Sequence, residues 1–316
     1  KLYSIENVIG SVGNDTLQGN EGDNILNGAG GINTVSYSGA GAGVTIDLGV
    51  TTKQNTIGDG EDTLSNFHNL IGSNHDDILK GNSGSNIIKA GSGDDAIYGI
   101  GGANFLYGGL GNDTFIGKVS GSDFIDGESG SDKVDYSNLT SANSITVNLG
   151  TTTTRNDENV ASQTVNEITI NGGHSDYVKN ISIFEGSAGN DIFTVTNGTY
   201  EFIGGSGDDT FNGTNFTGVV INGSNHTIDS SGTQGAINAY ATKGDTVDYS
   251  SVANKIIIDL EDGSDPTTVR VGGDTTNHTI KNIENIIGSN TADDTIIGNS
   301  TNNTIKGGGG DDTIDG

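Results

Sequence analysis

From Gly72 to Ile116 the chain repeats one alternation of polar and apolar positions five times without a gap: GSNHDDILK, GNSGSNIIK, AGSGDDAIY, GIGGANFLY and GGLGNDTFI. Each nine-residue unit opens with a glycine-rich polar turn and closes on a short strand-like run. Position one is Gly72, Gly81, Ala90, Gly99 and Gly108, and position eight is always apolar: Leu79, Ile88, Ile97, Leu106 and Phe115. One inward-facing apolar residue per unit cannot close a core alone, so the units must stack. The pattern predicts an all-β solenoid of short strands.

The same unit recurs elsewhere. A first block holds GSVGNDTLQ, GNEGDNILN and GAGGINTVS (Gly10 to Ser36). A thin third block holds GSAGNDIFT and GGSGDDTFN around the degenerate VTNGTYEFI, with Phe193, Phe202 and Phe211 expected to thicken the core. A last block runs SNTADDTII, GNSTNNTIK, GGGGDDTID (Ser289 to Asp315). These boundaries give repeat blocks at 1–36, 72–135, 186–221 and 289–316, with insertions at 37–71, 136–185 and 222–288, all on one continuous solenoid.

Two longer phrases return as well. Ser4–Ser11, Asn66–Ser73, Asn180–Ser187 and Asn282–Ser289 each lead into a block and suit a strand feeding its first coil. VSYS at Val35 and VDYS at Val134 and Val247 precede alternating runs, including Val44–Leu48 and Ile145–Leu149, which predict strands longer than those of the repeats. Tyr37, Tyr136 and Tyr249 recur at one place in this phrase, where each ring is expected to cover the end of the core with its hydroxyl outside. Gly117 adds a residue that breaks the phase before KVSGSDFID and GESGSDKVD, as a bulge in a turn would. Thr151 to Asn180 is polar, with a strand expected at Glu167–Ile170 and no visible chemistry. Residues 213–243 are the least patterned, and suit either a surface loop or a partner surface.

Position six carries the chemistry: Asp77, Asn86, Asp95, Asn104 and Asp113 in the central block. These units resemble the glycine- and aspartate-rich nonapeptide of the RTX (repeats-in-toxin) family, G-G-x-G-x-D-x-U-x, which forms a parallel β-roll holding calcium. The resemblance implies a right-handed roll in which two nonapeptides make one coil, so that alternate units share an edge about 4.8 Å apart. Asp77, Asp95 and Asp113 then fall on one edge, Asn86 and Asn104 on the other. Counted across Gly117, Asp132 joins the first edge and Asp123 lies opposite. Carboxylates stacked at strand spacing repel unless a cation lies between them, and Ca²⁺ accepts carboxylate and carbonyl oxygens together. Asparagine needs no counter-ion, so its edge is expected to close without metal.

The resemblance therefore implies several Ca²⁺ ions, with ligands at Asp15, Asp77, Asp95, Asp113, Asp123, Asp132, Asp191, Asp209, Asp294 and Asp312. Its turn glycines are Gly91, Gly93, Gly109, Gly111, Gly205, Gly207, Gly308 and Gly310.

Composition fits this picture. Hydrophobic residues make up 31%, too few for a large globular core, while 53 glycines and a net charge of −28 alone would also suit a disordered chain. The regular period argues against disorder, and the acidity suits a polyanion that folds when calcium arrives. Thirteen basic residues scattered against 41 acidic ones make nucleic acid an unsuitable partner. No cysteine is present, which fits a secreted protein without disulfides, and no apolar run approaches the roughly 18 residues of a membrane span. A start at Lys1 inside a repeat phrase and an end just after another unit suggest a segment of a longer protein.

Catalytic patterns are missing from this reading. His68, His75, His174, His226 and His278 are isolated, without metalloprotease spacing. Acid pairs such as Asp94–Asp95 follow from the repeat phase, as one ligand and one solvent-facing neighbour. No nucleophile elbow or dinucleotide fingerprint sits in a strand-to-helix setting. No enzymatic activity is expected of these residues. The resemblance implies export by type I secretion and folding in calcium-rich surroundings outside the cell. It leaves two roles open: a calcium-stiffened segment of a large adhesin, surface-layer or filament protein, or the calcium-folding accessory region of a secreted enzyme or toxin. Self-association, or cell-surface or glycan contact by the insertions, would be a further partner role.

Overall fold

The computed structural model describes residues 5–155, 163–171, 173–196, 198–213, 219–223, 244–260, 267–272 and 278–316. Among them the regular structure is strand without helix, mostly three-residue strands in parallel ladders. Most of 213–243, together with His226 and the only proline, Pro266, lies outside the described residues.

The ladder register follows the repeat. Leu79 pairs with Ile97 and Ile97 with Phe115, while Leu70 pairs with Ile88 and Ile88 with Leu106. Alternate nonapeptides are therefore neighbours, and two of them make one coil. These position-eight side chains are all buried. Each contributes about 1.5–3 kcal/mol of apolar burial, which is realised only when a coil lies on either side.

The chain divides into two compact units. The first comprises Lys1–Asp135, Thr153–Val165 and His174–Ile181. One of its parallel ladders runs through Thr34–Ser36, Asn69–Ile71, Ile87–Ser92, Phe105–Leu110, Phe124–Ser129 and His174–Lys179. Another runs through Thr45–Asp47, Ile78–Lys80, Ala96–Tyr98, Thr114–Ile116 and Lys133–Asp135. The second unit comprises Tyr136–Thr152, Asn166–Gly173 and Ser182–Gly316. Its core includes Phe193, Phe202 and Phe211, with the Phe193 and Phe211 rings stacked at a centroid distance of 5.0 Å. Here Thr267–Val271 interrupts the parallel order, pairing antiparallel with both Ile256–Asp259 and His278–Lys281.

Several sequence expectations are corrected. The tyrosine rings do cover the core, but Tyr37, Tyr136 and Tyr249 are buried whole. The Tyr37 hydroxyl turns inward because it has a buried acceptor, donating to Asp62 Oδ2 at 2.8 Å. Thr45–Asp47 is no longer than a repeat strand, because Asp47 Oδ1 accepts the Gly49 N–H and starts a turn. The extra residue is not Gly117 itself. Gly117 N donates to Asp135 O as Gly81 N donates to Tyr98 O, so Gly117 holds position one and the additional residue lies in the turn after it. Within the expected insertion at 136–185, His174–Lys179 adds a rung beside Phe124–Ser129.

Three of the recurring phrases open on a left-handed residue, with φ of 58° at Asn66, 54° at Asn180 and 53° at Asn282. Asparagine tolerates this conformation better than most side chains. Their Nδ2 groups donate to Asn27, Asp126 and Asn222 respectively. The expected strands Asn69–Ile71, Ile183–Glu185 and Asn285–Ile287 then follow.

Candidate metal centre

Within a row, a side-chain oxygen of one position-six residue accepts the backbone N–H of the position-six residue one coil earlier, while the row-opening Asp77, Asp191 and Asp294 accept from Val44, Ile145 and Ile256. Asp77 N donates to Asp95 at 2.7 Å, Asp95 N to Asp113 at 3.0 Å, and Asp113 N to Asp132 at 2.8 Å. The row Asp77–Asp95–Asp113–Asp132 is thus the one expected from the spacing. On the opposite edge Asn86 N donates to Asn104, Asn104 N to Asp123, and Asp123 N to Asp176. In the second unit Asp191 N donates to Asp209, Asp209 N to Asp245, and Asp245 N to Glu284. Asp294 N donates to Asp312 in the same way, and Asp15 N donates to Asn33.

What differs is the fate of the second oxygen. In the unit that opens a block, position two is serine. The N–H of Ser11, Ser73, Ser187 and Ser289 donates to Oδ2 of Asp15, Asp77, Asp191 and Asp294, and three of the hydroxyls also donate to the carboxylate. These four ligand candidates therefore already have close donors. In the later units of the aspartate rows position two is a residue with positive φ: 125° at Gly91, 118° at Gly109, 64° at Glu128, 97° at Gly205 and 104° at Gly308. The peptide turns over, and its N–H no longer caps the carboxylate. Asp95, Asp113 and Asp209 are left with a buried Oδ2 that has no hydrogen-bond partner.

Burial is the main reason that these acids hold their protons so strongly. It pushes Asp95 up to about 7, Asp113 and Asp132 to about 6, and Asp209 to about 8, with neighbouring carboxylates adding to the effect. Asp245 is likewise raised to about 8 by burial, then by Glu284 and Asp208. An ionised buried oxygen without a donor is strongly unfavourable, so such a row calls for protons or a cation.

All eight glycines expected around the metal have positive φ, from 97° at Gly205 to 126° at Gly111. Gly109 shows why no larger residue serves: a Cβ there would overlap Gly91 O in the coil below. Among the described residues no three acidic or histidine side chains converge on one point. A cation at Asp95, Asp113, Asp132 or Asp209 therefore needs turn carbonyls as well as carboxylates, and Ca²⁺ accepts that mixture.

The asparagine edge is satisfied without metal. Asn104 Nδ2 donates to Gly99 O and Gly101 O at 3.1 and 3.0 Å, and Asn33 Nδ2 donates to Gly30 O and Asn66 O. Asp123, expected as a ligand, instead accepts from the Lys118 ammonium at 2.9 Å. Asp312 is in its row and half-buried in the last coil.

Asp62, Asp176, Asp245 and Glu284 continue the rows, yet each lies in a segment read as insertion. Asn24 N donates to Asp62 Oδ1, while Tyr37 caps the other oxygen. The sequence signal for Asp245 was the VDYS phrase that follows two residues later. For Asp62 and Asp176 the signal was a degenerate unit: IGDGEDTLS (57–65) and NGGHSDYVK (171–179) place two glycines before the acid at position six and an apolar residue at position eight.

The RTX calcium-binding nonapeptide repeat matches residues 4–35, 71–103, 101–118, 120–138 and 289–316. The block at 186–221 falls outside those matches, although its Asp191–Asp209 rung has the same hydrogen bonding. No curated protein matches the chain.

Proposed function

We propose, from the premise that this chain belongs to the RTX calcium-binding repeat family, that it is a calcium-dependent structural region of a secreted or cell-surface protein. Repeats of this family bind calcium structurally rather than perform catalysis. In this reading the chain crosses to the outside unfolded, as type I export requires, and stiffens on meeting calcium as part of an adhesin, surface-layer or filament assembly. The observation that carries it is the set of three buried carboxylate oxygens, on Asp95, Asp113 and Asp209, that lack any hydrogen-bond donor.

The residues present suit the ion. Asp95, Asp113, Asp132 and Asp209 would hold calcium together with carbonyls of their glycine-rich turns. Bound there, calcium supplies the positive charge that lets neighbouring rungs stack while ionised. The chain's own part is to hold the carboxylates by their Oδ1 atoms and to keep apolar position eight inside. Binding free energy then becomes folding free energy.

The test is calcium titration of the full chain, followed by circular dichroism and by the urea midpoint, with EGTA reversal and a magnesium control. The expected result is β-signal and a midpoint that rise with calcium and fall on chelation. Equal β content and equal midpoints in calcium and EGTA would overturn the proposal.

A further inference from the structure

On the opposite edge of the first unit, Asp123 follows Asn86 and Asn104 in the row, and a largely buried cation, Lys118, lies against it. The Lys118 side chain is 11% exposed and that of Asp123 4%. Lysine at position two is unlike the serine, glycine or glutamate found there in the aspartate rows. Its Nζ lies 2.9 Å from Asp123 Oδ1, 3.0 Å from Gly102 O and 3.3 Å from Gly101 O. An ammonium has three N–H donors, and here it meets three oxygens: one carboxylate and two turn carbonyls. That mixed oxygen set is the kind that a calcium ion accepts. The surroundings otherwise need nothing from it. Asp123 Oδ1 also accepts from Asn104 N and Nδ2, and Asn104 Nδ2 reaches Gly99 O and Gly101 O.

We propose that the Lys118 ammonium is a resident counter-ion that closes this coil without metal, and that it covers a latent divalent-cation site formed by the Gly101 and Gly102 carbonyls and the Asp123 carboxylate. The inference rests on the calcium reading of the other edge, because it treats the two edges as one design with two kinds of cation. Its consequence is a division of labour. One edge responds to calcium, while the other is held by groups that the chain carries with it.

The test is the number of calcium ions bound per full-length chain, measured by competition with a chromophoric chelator and read beside amide exchange at Asn104 and Phe105. Lys118→Met should bind one ion more than the wild type, with those two amides protected in calcium. Lys118→Arg should keep the wild-type number. The double variant Lys118→Met/Asp123→Asn should also return to it, since asparagine supplies its own donors as Asn86 and Asn104 do. An unchanged, non-zero number in Lys118→Met overturns this inference alone. So does a Lys118→Met chain that fails to fold in calcium while the double variant folds. A wild-type number of zero overturns the calcium reading and this inference with it.

Discussion

Replacing Asp95 by asparagine separates the two duties of a position-six carboxylate. The new amide would keep the oxygen that accepts the Asp77 N–H, while its Nδ2 would replace the oxygen that has no donor. Native Asn104 shows where such a group goes, since it donates to the carbonyls of positions one and three of its own turn. In Asp95→Asn these would be Ala90 O and Ser92 O. Burial, aided by Asp77 and Asp113, lifts the Asp95 carboxyl from 3.8 to about 7. Each tenfold gain in proton affinity is worth about 1.4 kcal/mol, so ionising this carboxyl in the metal-free coil costs at most about 4 kcal/mol, and solvent screening lowers that to on the order of 2–4 kcal/mol. The sign follows from proton binding. Below pH 3.8 folded and unfolded chains both hold the proton. Between 3.8 and about 7 only the folded chain does, so stability falls as pH rises through this window and levels off above it. In EGTA at pH 8, Asp95→Asn should therefore have a higher urea midpoint than the wild type. At pH 5 the difference should be smaller, and in calcium the order should reverse because a ligand is lost. Urea titrations at the two pH values, with and without calcium, decide the matter. A lower midpoint for the variant in EGTA at pH 8, or metal-free wild type gaining stability from pH 5 to pH 8, would refute the reasoning.

Three smaller perturbations probe the frame around the rows. Ile100 is β-branched, 49% exposed and held at φ 63°, so Ile100→Gly should stabilise the chain by about 1 kcal/mol in the urea midpoint. Ser187→Ala removes a hydroxyl that donates to Asp191 at 2.9 Å and should lower stability by about 1–2 kcal/mol, with a greater effect in EGTA than in calcium. Phe211→Ala takes a ring out of the Phe193 stack and should cost about 3–5 kcal/mol by urea denaturation, whether or not calcium is present.

Much of the frame was legible because two periods agree. Position eight is apolar in every central unit, and a chain with a nine-residue turn-strand rhythm has one economical way to bury it. That fixes the pairing of Ile88 with Leu106, and with it the rows in which Asp77, Asp95, Asp113 and Asp132 stand. The asparagine edge was legible for the same reason, since amide and carboxylate have the same shape but opposite needs.

The remainder was hidden because a solenoid restricts only the residues on its rungs and says little about the chain between them. Asn24 finds its acceptor 38 residues on at Asp62, and Asp123 finds its own 53 residues on at Asp176. A long excursion adds little to the entropic cost of closing a loop once the loop is already long, so rungs can be separated without losing the row. Nor could position six alone reveal whether its carboxylate needs an ion. That depends on what meets its second oxygen: at position two a serine caps Asp77 and a lysine neutralises Asp123, while a tyrosine from a separate phrase caps Asp62. Only where a positive-φ residue turns the peptide away, as Gly91 does beside Asp95 and Gly205 beside Asp209, does the acid keep an unmet oxygen. Metal demand in these coils is therefore a property of two positions read together, and the aspartate is only one of them.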